Sequence, residues 1–461
     1  MDEIRFVAAS GALGSGVDEK SLMAALEMGP HFIASDAGTT DAGPFALGSG
    51  RPAFAREAVK HDLAAILRAS RRAGIPALIG SVGTAGGNIQ VDWMMEIVRE
   101  VAVAQNLALK VAVIRCEQDP GYLSELYTQG RIRPLQPAPT IDAGIFRRSD
   151  HIVAMMGVEP LQDALQAGAD LVIAGRCSDP ALFAALPVML GFPPGLAWHA
   201  GKIAECGTLA CETSHAKGVI VGAIRHDQAL IWPIGEGLRC TPQSIAAHSL
   251  YENADPYLHT ECSGVLDLSE SRYEAVDERT VRITGSAFHP ASEYSMKLEG
   301  AELVGYQSLI IGGVRDPYII RQLDRWLGGI KGYIHYKIAE VLGSRLTRSE
   351  YRLVFHLYGR NAVMGALEPE PAAAHEVGIV VEVTAPTQEL ATAIAQLCRQ
   401  PLLHAPIPEW KGAITGFACL YNPAELERGP VWRFNLNHIA APRDWRDMVR
   451  TEIVTMGEIA R

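Results

Sequence analysis

Short apolar segments alternate with amphipathic helical segments through roughly the first 210 residues, and this alternation limits the folds open to the chain. Parallel strands need long connections between them, usually helices, so the pattern predicts a sheet covered on both faces. We therefore predict an α/β fold with an N-terminal parallel sheet and helices on both of its faces. The expected strands are residues 5–10, 31–35, 75–79, 107–114, 152–156 and 171–174.

The pattern changes after about residue 218, where paired strands of alternating polarity are typical of antiparallel sheet. A chain of 461 residues is also too long for one hydrophobic core. We predict three regions: an α/β domain carrying the site at 1–215, a smaller mixed α+β region at 216–345, and a C-terminal α+β domain at 346–461.

Composition excludes several classes of function. The formal net charge of −11 argues against nucleic acid as a partner, because binding phosphates needs a concentrated basic face. The chain has no apolar run of about 18 residues, so we expect no membrane span. The acidic start of the chain is unlike a signal peptide, and the eight scattered cysteines include no CxxC pair. We therefore expect reduced thiols and a cytoplasmic location.

The predicted strand 171–174 ends in four polar or reactive residues: Arg176, Cys177, Ser178 and Asp179. Open α/β sheets bind ligands at the carboxyl ends of their strands. We expect Arg176 and Ser178 to bind substrate, with Arg176 holding a carboxylate, and Asp179 to be catalytic. A plain helix cap would explain Asp179 before Pro180, but it would leave Arg176 unexplained.

A glycine-rich loop follows the strand 75–79 and precedes a helix. Glycines let the backbone approach a ligand, and the amides at a helix start attract anions. The loop matches neither the phosphate-binding Walker pattern nor GxGxxG, so it specifies neither ATP nor NAD, and the cofactor stays open. It is either a phosphate or carboxylate pocket or a tight turn without a ligand, and residues 11–16 form a similar loop. The predicted substrate-binding residues of the first loop are Ser81, Gly83, Thr84, Gly86, Gly87 and Asn88.

Two further groups could carry chemistry. Asp36 and Asp41 follow a strand and could share a proton, bind a divalent cation or orient a hydroxyl group, or they could simply cap turns. No third ligand is visible, so no metal is assigned. Glu205 and Cys206 could supply an acid–base group and a nucleophile, although a single cysteine is more often a small buried hydrophobe.

Several of these segments together resemble the acyclic terpene utilisation family. The resemblance covers residues 1 to about 320 and extends to residues 358–363. It implies a metabolic enzyme in the bacterial catabolism of branched terpenoid acids through coenzyme A thioesters. Some relatives occur with a small companion protein, which allows for a partner subunit. The segments are 9–16 (ASGALGSG), 175–183 (GRCSDPALF), 200–202 (AGK), 205–207 (ECG), 249–257 (SLYENADPY), 281–285 (VRITG) and 358–363 (YGRNAV).

The residues and the resemblance favour an enzyme acting on a small carboxylic acid or an acyl-CoA thioester. A lyase or hydro-lyase is expected, because adding or removing water needs a positioned acid and base. Two alternatives stay open: a non-catalytic subunit that binds an anion or CoA, and a transferase with Cys206 as nucleophile. The size and fold class also favour a homo-oligomer.

Overall fold

The chain was examined as a computed structural model that describes residues 1–213, 217–370, 374–410 and 415–457. These residues form two units. The first contains residues 1–302 together with 434–457, and the second contains the described part of Leu303–Arg433. The division into three regions at residues 215 and 345 stays a prediction.

The described residues contain the following elements. The helices are α1 (Glu19–Leu26), α2 (Phe45–Ser49), α3 (Arg56–Ala73), α4 (Asn88–Ala104), α5 (Pro120–Thr128), α6 (Ile145–Arg148), α7 (Glu159–Gln166), α8 (Ala181–Met189), α9 (Pro194–Ala204), α10 (Pro242–Leu250), α11 (Pro317–Arg321), α12 (Leu323–Leu342) and α13 (Gln388–His404). The strands are β1 (Glu3–Ala8), β2 (Phe32–Gly38), β3 (Ala77–Thr84), β4 (Leu109–Arg115), β5 (Ile132–Pro134), β6 (His151–Met155), β7 (Leu171–Ala174), β8 (Val219–Arg225), β9 (Ala229–Ile234), β10 (Leu258–Glu261), β11 (Gly264–Asp267), β12 (Arg272–Ala275), β13 (Val281–Thr284), β14 (Ala287–Pro290), β15 (Met296–Val314), β16 (Arg352–Tyr358), β17 (Val377–Ala385), β18 (Ala418–Cys419), β19 (Glu425–Ala440) and β20 (Arg450–Met456).

A ten-stranded sheet dominates the first unit, in the order β12-β13-β9-β8-β1-β2-β3-β7-β4-β20. The five strands β1, β2, β3, β7 and β4 are parallel, which confirms the predicted parallel sheet. The antiparallel strands β8 and β9 extend this sheet beyond β1. Because β7 lies between β3 and β4, the residues after β7 emerge between the carboxyl ends of two other parallel strands.

Alternate residues of the parallel strands face opposite layers of helices, as the two-residue period of a strand requires. Phe6 packs against Phe32 and against Phe183 of α8, with the rings of Phe6 and Phe183 centred 5.2 Å apart. The neighbouring residues Val7 and Ile33 belong to the core formed with α1, α3 and α4. Helices therefore cover both faces of this sheet, as predicted.

One predicted strand lies elsewhere. The segment at 152–156 forms β6, which pairs antiparallel with residues 297–301 of β15 and not with the ten-stranded sheet. A small antiparallel sheet of β10, β11 and β14 completes the main elements of the first unit. It carries Glu261 at the end of β10.

In the second unit, β16, β17 and residues 306–314 of β15 form an antiparallel sheet. Alternate residues of β17 (Val377, Ile379, Val381 and Val383) are buried in a core shared with α12 and α13. Across the described parts of the chain, no helix is both long enough and apolar enough to cross a membrane.

Candidate active site

The parallel strand ends bring several predicted residues together. Ser81 lies in β3, and its backbone N–H donates to the carbonyl of Gly175 at 3.0 Å. Arg176 follows β7, and its Nη1 donates to the Ser81 hydroxyl at 3.1 Å and to the Asp179 carboxylate at 3.2 Å. The side chains of Ser81, Arg176 and Asp179 therefore form one connected group at the carboxyl ends of β3 and β7.

Arg176 is buried and surrounded by acceptors from this chain. Its Nε and Nη2 donate to Glu299 at 3.2 and 3.4 Å, in addition to the Nη1 bonds to Ser81 and Asp179. Glu299 also pairs with Lys297, whose Nζ lies 3.3 Å from the carboxylate. All three guanidinium nitrogens have a protein partner, so the guanidinium is held in place. Arg176 in turn holds the Asp179 carboxylate in position. The binding of a substrate carboxylate by Arg176 stays a prediction.

Asp179 does not cap the following helix. Pro180 precedes α8 without a side-chain cap, and the Asp179 carboxylate instead accepts from Arg176. About one third of the Asp179 side chain (32%) is exposed. Burial raises its pKa, against the opposing charge of Arg176. Asp179 is thus a partly open carboxyl group held by a buried cation, which suits proton transfer.

Asp36, at the end of β2, is almost fully buried. Its Oδ2 accepts from the Gly38 N–H at 3.1 Å, whereas Oδ1 has no hydrogen-bond partner among the described residues. Burial raises the pKa of Asp36 well above its usual range, and the charge of Asp179 raises it further. This carboxyl group therefore favours its protonated form. Asp41, by contrast, lies exposed in the turn after β2.

A second buried ion pair lies at the end of α9. Lys202 Nζ donates to Glu205 Oε1 at 2.6 Å, and both side chains are less than 10% exposed. Burial raises the pKa of Glu205 to about 8, although Lys202 opposes the shift and the charge of Asp179 adds to it. The Lys202 ammonium also lies 4.7 Å from the centre of the Tyr251 ring. Glu205 can thus hold a proton near neutral pH.

Glu261 adds a further carboxyl group that the sequence did not suggest, on a half-buried residue. Its Oε2 is enclosed and has no hydrogen-bond partner among the described residues. Burial raises the pKa of Glu261 to about 8, with the Ser178 hydroxyl acting in the opposite direction and Asp179 in the same direction. Ser178 is itself buried, and its hydroxyl lies within hydrogen-bonding reach of this carboxyl group.

The two cysteines of the predicted site are thiols in buried surroundings. Cys206 Sγ lies 3.2 Å from the Tyr251 hydroxyl, and burial raises its pKa to about 12, assisted by the charge of Glu205. Cys177 is fully buried, and burial raises its pKa as well. A nucleophilic cysteine needs a lowered pKa, so neither environment activates a thiolate.

Both glycine-rich loops direct backbone amides at carboxylates of this chain. In the loop after β1, Asp62 accepts from the N–H groups of Gly14, Gly16 and Val17 at 2.8 to 2.9 Å. At the start of α4, Glu117 accepts from the Asn88 N–H at 2.6 Å. Carboxylates of this chain therefore accept from three amides beside the loop after β1 and from one at the end of the loop before α4, and the binding of a ligand anion by these loops stays a prediction.

The remaining residues of the second loop shape the backbone beside Arg176. A Cβ atom on Gly86 would lie 2.2 Å from the Arg176 backbone nitrogen, so the two segments approach only because Gly86 lacks a side chain. Thr84 accepts from the Ala53 N–H at 3.1 Å through its hydroxyl. Positive φ angles occur at Ser81 (+48°), Gly83 (+65°), Thr84 (+82°) and Gly86 (+68°), and Gly87 precedes the first residue of α4.

A cavity of about 540 Å³ opens beside Cys206. Its walls are the glycine-rich loop from Ala8 to Asp18 and the segment from Cys206 to Leu209. Gly11 and Cys206 are in backbone contact, since a Cβ on Gly11 would lie 2.4 Å from the Cys206 carbonyl oxygen. The volume is in the range of small-molecule sites, which is about 300–1,000 Å³. The cavity thus adjoins the segment that carries Glu205.

Sequence reasoning missed three charged members of this site: Lys202, Glu261 and Glu299. Lys202 lies in one of the segments that resemble the family. Its spacing of three residues from Glu205 could have indicated an ion pair on one face of a helix. Glu299 lies 123 residues from Arg176 in the chain, so no local pattern indicates their contact.

Across the described ranges, no cluster of three or more His, Cys, Asp or Glu side chains is arranged to hold a metal ion.

A family model matches most of the chain. The model of the family described as "Acyclic terpene utilisation family protein AtuA" matches residues 47–408, which is most of the chain. The curated proteins gave no match. The solved structures gave none either.

Proposed function

The chain belongs to the acyclic terpene utilisation family, and from this premise we propose that it is an acid–base enzyme, a lyase or hydro-lyase. Its substrate would be a small carboxylic acid or the corresponding acyl-CoA thioester in a catabolic pathway. The observation that carries the proposal is the buried Lys202–Glu205 pair beside Asp179, at the edge where the parallel strands end.

Adding or removing water needs one group that takes a proton from carbon and another that protonates the departing hydroxyl. Glu205, with a pKa of about 8, is mostly protonated at neutral pH and serves as the acid. Asp179 is partly exposed and is held by Arg176, so it serves as the base. Asp36 keeps a proton in the same cluster and can donate a hydrogen bond through its unpartnered carboxyl oxygen.

The surroundings of the glycine-rich loops and of Cys206 argue against the two alternative functions. A non-catalytic subunit that binds an anion or CoA through the glycine-rich loops would compete with Asp62, which already accepts from three amides, and with Glu117, which accepts from the Asn88 amide. A transferase using Cys206 would need a thiolate at neutral pH, whereas burial raises the pKa of Cys206 to about 12.

Isotope exchange tests the proposal without a known substrate. The purified protein is incubated with hydroxy acids, unsaturated acids and their CoA thioesters in D₂O, and the molecular mass of each compound is measured by mass spectrometry. We expect deuterium uptake together with gain or loss of water for at least one compound. Glu205→Gln should slow this exchange by about 100-fold or more, because a positioned acid or base contributes that much.

The matched control is Glu236→Gln, an exposed carboxyl group after β9, which should leave the exchange unchanged. Binding of a compound without any isotope exchange would support the binding-subunit alternative. Exchange that survives Glu205→Gln but is lost in Cys206→Ala would support the transferase. Either result would overturn the proposed mechanism.

We also propose a cytoplasmic homo-oligomer, with a small companion protein as a candidate partner. All eight cysteines are free thiols in the structure, which suits a reducing compartment. Light scattering on the purified chain, alone and co-expressed with such a partner, measures the mass of the assembly. A mass equal to one chain would contradict the oligomer.

A further inference from the structure

The second unit contains a cavity of about 690 Å³ that lies apart in sequence from every residue of the proposed active site. Its walls are one face of α12 and the end of α13 with the segment that follows it. Small-molecule sites have volumes of about 300–1,000 Å³ and consist mostly of apolar side chains with a few polar groups. The cavity has both properties.

Three buried side chains form its apolar part: Trp326 and Ile330 from α12, and Ile407 from the segment after α13. The Trp326 ring is fixed in position, because its indole N–H donates to the Ala405 carbonyl at 3.0 Å. A fixed aromatic wall offers a large apolar contact area without losing side-chain entropy on binding. This part of the cavity suits an apolar molecule.

Gly329 leaves the central part of the cavity wall without a side chain. A Cβ at this position would meet no atom within 4 Å, and the same holds for its neighbour Gly328. Only Gly329 lines the cavity. Glycine inside a helix is destabilising relative to alanine. At Gly329 this lower helix stability accompanies a larger open volume in the cavity.

The polar groups of the cavity set the charge of its ligand. Arg325 and His404 line the walls, and neither side chain makes a hydrogen bond or ion pair with the described residues. No acidic residue belongs to the described lining. Glu409, just beyond it, accepts from the lining residue Gln322 at 2.7 Å. The cavity therefore presents one permanent positive charge beside an apolar surface.

We propose that this cavity is a second binding site, which takes an apolar molecule carrying a single carboxylate. The carboxylate would bind to the guanidinium of Arg325, which donates in a planar fork that matches a carboxylate. The apolar body would pack on Trp326, Ile330 and the open position at Gly329. This site is independent of the proposed catalytic function and would exist whatever reaction the first unit performs.

Calorimetric titration of the full chain with octanoate tests the site, with 1-octanol and octyltrimethylammonium as probes of equal chain length. Octanoate should bind at least about tenfold more tightly than either probe, which is about 1.4 kcal/mol. Gly329→Phe, which fills the cavity, should weaken octanoate binding about tenfold or more, and the smaller Gly329→Leu should weaken it less. Arg325→Gln should remove the preference for octanoate over 1-octanol.

The matched control is Gly328→Phe, a substitution on the same helix at a position that does not line the cavity, and it should leave binding unchanged. Glu205→Gln should also bind octanoate normally, which separates this site from the proposed active site. Equal binding by Gly329→Phe and Gly328→Phe would overturn the proposal. So would equal affinity of the wild-type chain for octanoate and 1-octanol, or loss of binding in Glu205→Gln.

Discussion

Replacing Asp62 with alanine removes the carboxylate around which the glycine-rich loop after β1 is organised. Asp62 lies on α3 and is 1% exposed. Its Oδ2 accepts from the N–H groups of Gly14 and Gly16 at 2.8 and 2.9 Å, and Oδ1 accepts from Val17 at 2.9 Å. The alanine variant leaves three backbone donors without their partner.

Each hydrogen bond to a charged group contributes about 1.5–3 kcal/mol, so three of them amount to at least about 4 kcal/mol. Water can reach part of the loop, because Gly16 is exposed, and this reduces the loss. We therefore expect Asp62→Ala to lower the free energy of unfolding of the first unit by about 3–4 kcal/mol. Asp62→Asn keeps one acceptor oxygen and should lose about 2 kcal/mol.

Urea denaturation followed by circular dichroism measures these losses. The control is Asp92→Ala, whose exposed carboxylate pairs with Arg115 and should contribute less than about 1 kcal/mol. Acetate should partly restore the stability of Asp62→Ala by binding the vacated amides, with little effect on the wild type. A loss below about 1 kcal/mol in Asp62→Ala, without acetate rescue, would refute the claim that Asp62 organises this loop.

Three further predictions concern the proposed active site. Arg176→Met should lower the free energy of unfolding by about 3 kcal/mol or more in thermal denaturation, because Glu299 loses its buried cation, and adding Glu299→Gln should restore part of it. Wild-type activity should fall as pH rises through the Glu205 pKa of about 8, because Glu205 then loses the proton it donates; a rate that is flat from pH 6 to 10 would exclude Glu205 as the acid. Cys206 should react with iodoacetamide at neutral pH at least about 100-fold more slowly than free cysteine by mass spectrometry, because its pKa is about 12, and fast labelling would revive the transferase alternative.

The sequence predicts the strands of the parallel sheet because their signal is local. Residues 171–174 form β7 within the predicted bounds, and the pairing of β7 with β3 brings Arg176 to Ser81. The segment at 152–156 also forms a strand, but its partner is β15, nearly 150 residues later in the chain. Which strand pairs with which depends on long-range contacts, and local periodicity carries no information about them.

The same limit applies to the proposed active site. Amide donors in the glycine-rich loops follow from their glycines, but that Asp62 and Glu117 accept from them depends on residues 29 to 48 positions away. Glu299 reaches Arg176 only through the fold, and its strand offers no motif. The pKa of Glu205 likewise depends on its burial, which the local sequence around Glu205 and Cys206 does not reveal.

The protonation state of Glu205 decides whether this residue can act as the acid of the proposed reaction. The chain is labelled with carbon-13 at the glutamate carboxyl groups, and its NMR spectrum is recorded as a function of pH. Comparison of the wild-type spectra with those of Glu205→Gln identifies the signal of Glu205. The signal that is present in the wild type and absent from Glu205→Gln should titrate near pH 8, because burial outweighs the Lys202 ammonium. A Glu205 signal that titrates near pH 4.5, the ordinary value for glutamate, would contradict a buried acid–base site at this sheet edge.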